Sequence, residues 1–244
     1  MKKSIYITLL TACLLNLYIG EALAQEIDKT LEAQNNTRIL AGMSNGFIRE
    51  IKEKTPDTKG TVYLYDTYMT GSIQLVNGQS IPEHLLKYDI KRQEIDILVN
   101  NKVKVVPVKM VKSIEWQNPL ELKKEVFLNC KEFNFQDKKP IGLVKVLVNG
   151  KNRLFSFNEL ELIRSNYNAA LDAGEKADKW VKKEKIFAEI NGKVKPLSKS
   201  SKKNLPLFGD KKTEMKNFLK KNKLGFKKEN DLIKIFEYYN SISS

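Results

Sequence analysis

The chain has 244 residues, is 41% hydrophobic, carries a formal net charge of +14 at pH 7, and contains two cysteines and one histidine. A single histidine excludes multi-histidine metal sites and leaves any Ser-His-Asp triad dependent on His84. The length suffices for one large domain or two small ones, so neither a metal nor a disulfide staple is required for stability.

The opening "MKKSIYITLLTACLLNLYIGEALAQ" places two lysines before an apolar run from Ile5 to about Ile19, then Ala22-Leu23-Ala24 before Gln25. This is the three-part order of a secretory signal peptide over residues 1–24. The apolar run is shorter than the roughly 20 residues needed to span a bilayer, so no transmembrane span is expected in the mature chain. "LTAC" ending at Cys13 resembles a lipobox and offers a lipoprotein anchored there as the lesser alternative. Cleavage after Ala24 leaves Cys130 as the one cysteine, which excludes an intramolecular disulfide despite export to an oxidising compartment.

Residues 25–60 are polar and weakly periodic, closed by Pro56 and Gly60, and read as an N-terminal arm with one short helix near Phe47 to Lys54. From Thr61 the texture changes to short runs of β-branched and aromatic residues: "TVYLY", "GSIQLV", "LLKYDI", "EIDILV", "KVKVVPV", "KSIEW", "EVFLNC", "GLVKVLV" and "NRLFSF". Runs of this length separated by Gly, Asn and Pro predict strands. The junctions repeat a theme, with Asn77-Gly78, Asn149-Gly150 and Asn191-Gly192, and a less ideal Asn100-Asn101. Asn and Gly tolerate the two positive φ angles of a type I′ turn, so these pairs predict hairpin tips and an antiparallel sheet. Their unequal spacing excludes a fixed-period solenoid or propeller.

The strand signal fades from Asn158 to Lys185, where one more strand or a helical turn fits and "YNAALDAGEKAD" reads as a surface loop. Strands resume with "KIFAEI" and "KVKPL". The β-rich region 61–197 reads as one domain or as two β units, 61–117 and 124–197. In the helical region 198–244, Met215, Phe218 and Leu219, and then Leu232, Ile235, Phe236 and Tyr239, fall at helical spacing. Asp210 is the expected N-cap of the first helix, and Leu224-Gly225-Phe226 the turn between the two. The fold class is therefore α+β, an antiparallel β-rich body with NG-type hairpins followed by a C-terminal helical hairpin.

"YDTYMTGSIQLVNGQSIPEHLLKYDIKRQEIDILVNNK", "NYNAALDAGEKADKWVKKEKIFAEINGKVKPL" and "FLKKNKLGFKKENDLIKIFEYYN" resemble uncharacterised exported proteins of the Bacteroidetes. The resemblance spans most of the mature chain and implies export and the same architecture. It carries over no activity and no site residues.

Enzyme signatures are missing from the sequence: there is no G-x-S-x-G, H-E-x-x-H, C-x-x-C, P-loop or dinucleotide fingerprint, and no cofactor is implied. The acid pairs Glu94/Asp96 and Glu159/Glu161 are spaced to share a strand face, a pattern that ordinarily marks a solvated surface. Cys130 reads as a buried strand residue. Candidate ligand contacts are the aromatic stripe of Tyr63 and Tyr65, together with His84, Trp116 and Trp180. Residues 176–234 hold nineteen lysines, seven acids and no arginine, a basic face that suits a solvated helical surface better than a nucleic-acid reader.

The sequence points to an exported, cell-envelope or secreted protein, a non-enzymatic binding or structural component whose partner is an envelope protein, a glycan or an anionic lipid surface. The alternative is a hydrolase of envelope or extracellular polymers using at least two of His84, Glu94, Asp96, Glu159 and Glu161. The intact mass of the exported protein should correspond to a chain beginning at Gln25. A mass beginning at an acylated Cys13 would show the lipoprotein reading instead.

Overall fold

The computed structural model describes residues 49–50, 58–118, 123–168, 170–175 and 177–243. The expected signal segment 1–24 and most of the expected N-terminal arm lie outside them. Phe47–Ser244 forms one compact unit.

Among the described residues, eleven strands form one antiparallel sheet. In chain order these are β1 Arg49–Glu50, β2 Met69–Leu75, β3 Ser80–Asp89, β4 Glu94–Val99, β5 Lys102–Pro107, β6 Val111–Asn118, β7 Lys123–Asn129, β8 Leu143–Val148, β9 Arg153–Ile163, β10 Lys179–Ile190 and β11 Lys193–Pro196. Their spatial order is β1-β5-β4-β3-β2-β6-β7-β8-β9-β10-β11. Two meanders therefore share β2. The first runs outward through β3, β4 and β5. A 3₁₀ turn at Val108–Met110 then returns the chain to the other side of β2, where the second meander begins. The expected units 61–117 and 124–197 thus share a continuous sheet, joined where β6 pairs with β7.

Alternation explains much of this. In β2, Met69, Gly71, Ile73 and Leu75 are buried while Gln74 is exposed, as period-two side-chain placement requires. The turns are more varied than the sequence suggests. Asn191-Gly192 and Asn100-Asn101 each have both residues at positive φ inside two-residue connections, with Ile190 opposite Lys193 and Val99 opposite Lys102. Asn77-Gly78 differs. Gly78 alone has positive φ, its N–H donates to Leu75 O at 3.1 Å, and Leu75 N donates to Gln79 O at 2.8 Å. That is a three-residue loop with glycine in the left-handed position, which corrects the type I′ expectation.

Asn149-Gly150 is also corrected, since neither residue has positive φ. Gly150 is needed for closeness instead: a Cβ there would lie 2.7 Å from Asn240 Nδ2. Asn240 accepts from Asn152 N and donates to Asn152 O, both at 2.8 Å, clamping the last helix to the β8–β9 connection.

Further corrections concern element type. Arg49–Glu50 pairs with Val105 and Lys104 as strand, where a short helix is expected from the sequence. "TVYLY" forms no strand beyond an isolated bridge of Tyr63 with Asp89. Conversely, β9 and β10 continue through polar sequence as an 11- and a 12-residue strand. Cross-strand ion pairs of Glu159 with Lys185, at 2.5 Å, and of Glu161 with Lys183 line this extension. Opposite charges across a ladder favour pairing that propensity alone does not anticipate.

The C-terminal region places α1 at Lys212–Asn222 and α2 at Glu229–Ile242, preceded by a helical turn at Ser201–Asn204 and a 3₁₀ segment at Leu205–Lys211. Asp210 falls inside the 3₁₀ segment, and Lys211 without a side-chain cap bond precedes α1, so the Asp210 cap is not made. Lys223 closes α1 in the left-handed conformation. Met215, Leu219, Phe226, Leu232, Ile235, Phe236 and Tyr239 join Val148, Leu154 and Ala188 of the sheet in one buried cluster around Phe208. The lysines at 212, 216, 220, 221, 227, 228 and 234 face solvent. No helix among the described residues is long and apolar enough to cross a membrane.

Phe236 is fully buried in that cluster, so Phe236→Ala should lower stability by about 3–5 kcal/mol in urea unfolding. A loss below about 1 kcal/mol would contradict the docked hairpin.

Candidate functional site

The site begins with a strap, residues 58–68, that pairs with two distant strands in succession. Lys59 N donates to Asp178 O at 3.1 Å, and Trp180 N donates to Lys59 O at 2.9 Å. Ile90 N then donates to Val62 O at 3.0 Å, and Leu64 N to Tyr88 O at 2.9 Å. Gly60 turns the chain between these pairings. Its φ is +85°, and a Cβ would sit 2.5 Å from Trp180 O. Lys182 Nζ donates to Leu64 O at 2.9 Å, a second tie from β10. The strap thereby brings the start of β10 beside the end of β3, and Lys91 Nζ lies 4.7 Å from the centre of the Trp180 ring.

The second component is the segment 131–142 between β7 and β8. Its aromatic anchors enter the core: Phe133 packs on Phe155 and Phe135 packs edge-on against Phe187. Val194 N donates to Asn134 O and Gln136 N to Val194 O, at 2.9 and 3.0 Å, so the segment covers the edge strand β11. With these anchors in place, Lys138 and Lys139 stay exposed and Ile141 is 79% exposed.

Two clefts flank this segment. One, of about 530 Å³, has Trp180, Phe157, Phe187 and Ile141 on its walls and Lys91, Lys138, Lys139 and Lys185 around them. The other, of about 350 Å³, is lined by Pro107, Val108, Cys130, Pro140, Ile141 and Gly142, with Arg92, Lys109, Lys131 and Lys139 at its rim. Gln93, Lys139, Pro140 and Ile141 belong to both. Taken together, the linings contain seven cations and two carboxylates, Glu94 and Glu159. Glu159 is ion-paired to Lys185. The excess of positive charge beside apolar walls suits an anion with an apolar body.

The partition between the clefts is tied by hydrogen bonds. Gln93 adopts a φ of +57° in the β3–β4 connection, and its carbonyl accepts from Val108 N at 2.8 Å. Its side chain accepts from Tyr88 Oη at 2.9 Å and donates to Ile90 O at 2.6 Å. Gly142, at a φ of +130°, lies so close that a Cβ would meet Tyr88 Oη at 2.6 Å and Gln93 Oε1 at 2.8 Å. Burial pushes the Cys130 thiol up to about 12, so it stays neutral at physiological pH and behaves as an apolar wall.

Of the candidate ligand contacts named from the sequence, Trp180 alone lines these clefts. Tyr63 and Tyr65 ride on the strap instead of striping a strand, and their hydroxyls donate to Asp96 Oδ2 at 2.9 Å and Glu125 Oε2 at 2.6 Å. Trp116 is 1% exposed, in edge contact with Tyr65 and Phe127, which places it in the core. Gly71 leaves room for that indole, because a Cβ would lie 2.4 Å from Trp116 Cδ1. His84 sits within β3, opposite Gly71, its Nδ1 2.8 Å from Pro82 O.

Glu94 and Asp96 are buried, which corrects the expectation of a solvated pair. The structure does not gather the five hydrolase candidates. Glu159 and Glu94 border different clefts, Glu161 pairs with Lys183, and Asp96 lies beneath Tyr63. The residues missed from sequence are Lys91, Gln93, Lys138, Lys139, Ile141 and Gly142. The one local signal was Ile141, an isoleucine left between "KKP" and the strand run "GLVKVLV". Compared with known proteins, the chain matches no family model, no curated protein and no solved structure.

Asp96 has a measurable consequence. Burial raises its carboxyl from 3.8 to about 6, against a lowering effect of the Tyr63 hydrogen bond. A raised acid favours its protonated form in the folded state, so its contribution is complete below pH 3.8 and is lost as pH rises through 6. Urea unfolding of Asp96→Asn against wild type should show the variant gaining relative stability across that window. A difference that is flat with pH would contradict the shift.

Proposed function

We propose that the protein is exported by its N-terminal segment and acts in the cell envelope or outside the cell as a non-enzymatic binding protein. Its ligand site is the pair of clefts around Lys138 to Gly142. One observation carries this reading: apolar walls with a lining of seven cations and two carboxylates. Such a lining attracts an anion over solvent-screened distances and retains its apolar part by desolvation. A hydrolase draws less support, because the carboxylates that could serve as acid and base are separated or engaged in the pairs described above.

The aromatic sulfonate 8-anilinonaphthalene-1-sulfonate probes this directly. It should brighten on the mature protein, and Lys138→Glu with Lys139→Glu should weaken its binding by about tenfold or more, as loss and reversal of two nearby charges implies. Both lysines are exposed, so the melting temperature should stay unchanged. Equal affinity in the variant would overturn the cleft as an anion site. Hydrolysis of an envelope polymer abolished by Glu159→Gln would establish the enzymatic alternative.

A further inference from the structure

The two clefts differ in chemistry while sharing a wall. The larger has aromatic surface and the amines of Lys91, Lys138 and Lys139. The smaller has the apolar surface of Pro107, Val108, Pro140, Gly142 and the buried Cys130, with the buried Glu94 and Asn129 beside it. Between them stands Ile141, 79% exposed, where an unsupported isoleucine side chain has apolar surface but no core to enter. Exposed isoleucine is unremarkable when isolated, but here it continues the apolar lining of both clefts.

We propose that the clefts hold one molecule, a free alkyl carboxylate, with its carboxylate among Lys91, Lys138 and Lys139 and its chain across Ile141 into the smaller cleft. The proposal rests on the binding reading above and adds the class of ligand. Charge complementarity selects an anionic head, since cations outnumber carboxylates around both openings. An alkyl chain fits the second cleft along Pro107, Val108, Cys130, Pro140 and Gly142, the apolar part of a lining that also holds the buried Glu94 and Asn129. The volumes, about 530 and about 350 Å³, fall in the range of small-molecule sites. Trp180 lies in the head-group cleft while Trp116 is buried elsewhere, so a fluorescence change on binding reports Trp180.

The test is a fluorescence titration of the mature protein with acetate, octanoate, decanoate and dodecanoate below their micelle concentrations. Affinity should rise roughly fourfold per methylene as the chain fills the second cleft. Dodecyltrimethylammonium, with the same chain and the opposite charge, should bind at least tenfold more weakly than dodecanoate. Ile141→Asp should flatten the dependence on chain length at unchanged melting temperature. Lys138→Glu with Lys139→Glu should weaken every member of the series. Acetate binding as tightly as dodecanoate would overturn this proposal while leaving the anion site intact. No response to any anion would overturn both. Binding to phosphatidylglycerol vesicles without binding to free dodecanoate would overturn it in favour of a bilayer surface.

Discussion

Everything at the proposed site depends on a main-chain bridge. The strap donates and accepts hydrogen bonds with β10 through Lys59 and with β3 through Val62 and Leu64, all within six residues. The strands it joins are far apart in the sheet, with β2, β6, β7, β8 and β9 between them. Adjacent pairing alone gives no reason for Lys91 to meet Trp180. The bridge does, because each backbone bond formed in partial burial fixes the register of both strands at once. Gly60 is the hinge that permits it, combining positive φ with an approach to Trp180 O that no side chain allows. The ring of Trp180 then meets the Lys91 ammonium as a wall of the cleft, in a cation–π contact.

The same logic of closeness recurs across the molecule. Gly142 admits Tyr88 and Gln93, Gly71 admits Trp116, and Gly150 admits Asn240. At each point a backbone without Cβ lets another element approach within a distance that fixes their relation. The partition made by Tyr88, Gln93 and Gly142 is held by hydrogen bonds, so this shared wall of the clefts is fixed before a ligand arrives. Pre-formed sites lose less conformational entropy on binding, which favours small ligands over segments that must order. The buried acids serve a different purpose. Glu125 accepts from Tyr65 and pairs with Lys145 at 2.6 Å, tying the strap to the second meander.

Sequence reading reached the architecture more readily than the site. Leu232, Ile235, Phe236 and Tyr239 were legible because a helix repeats its buried face every 3.6 residues, and all four are buried. Short β-branched runs likewise predicted most strands. Polar β9 and β10 were harder, since Glu159, Glu161, Lys183 and Lys185 support pairing only across strands, a relation invisible along one. Tyr63 misled in the opposite direction: its alternation with Tyr65 suggests a strand, while the hydroxyls of both serve distant carboxylates. Trp180 was reachable as an aromatic in a polar stretch. Lys91, Gln93 and Gly142 were not, because their roles arise only when two hairpins and the strap come together.

Amide hydrogen exchange, read residue by residue on the protein, tests the bridge most directly. The amides of Leu64, Ile90 and Trp180 should exchange as slowly as that of Ile114 in the buried strand β6, because each donates to a carbonyl of the strap or of the strand it meets. Exchange of those three at unprotected rates, with Ile114 still protected, would show that the strap does not join the two halves. The cleft would then lose its basis.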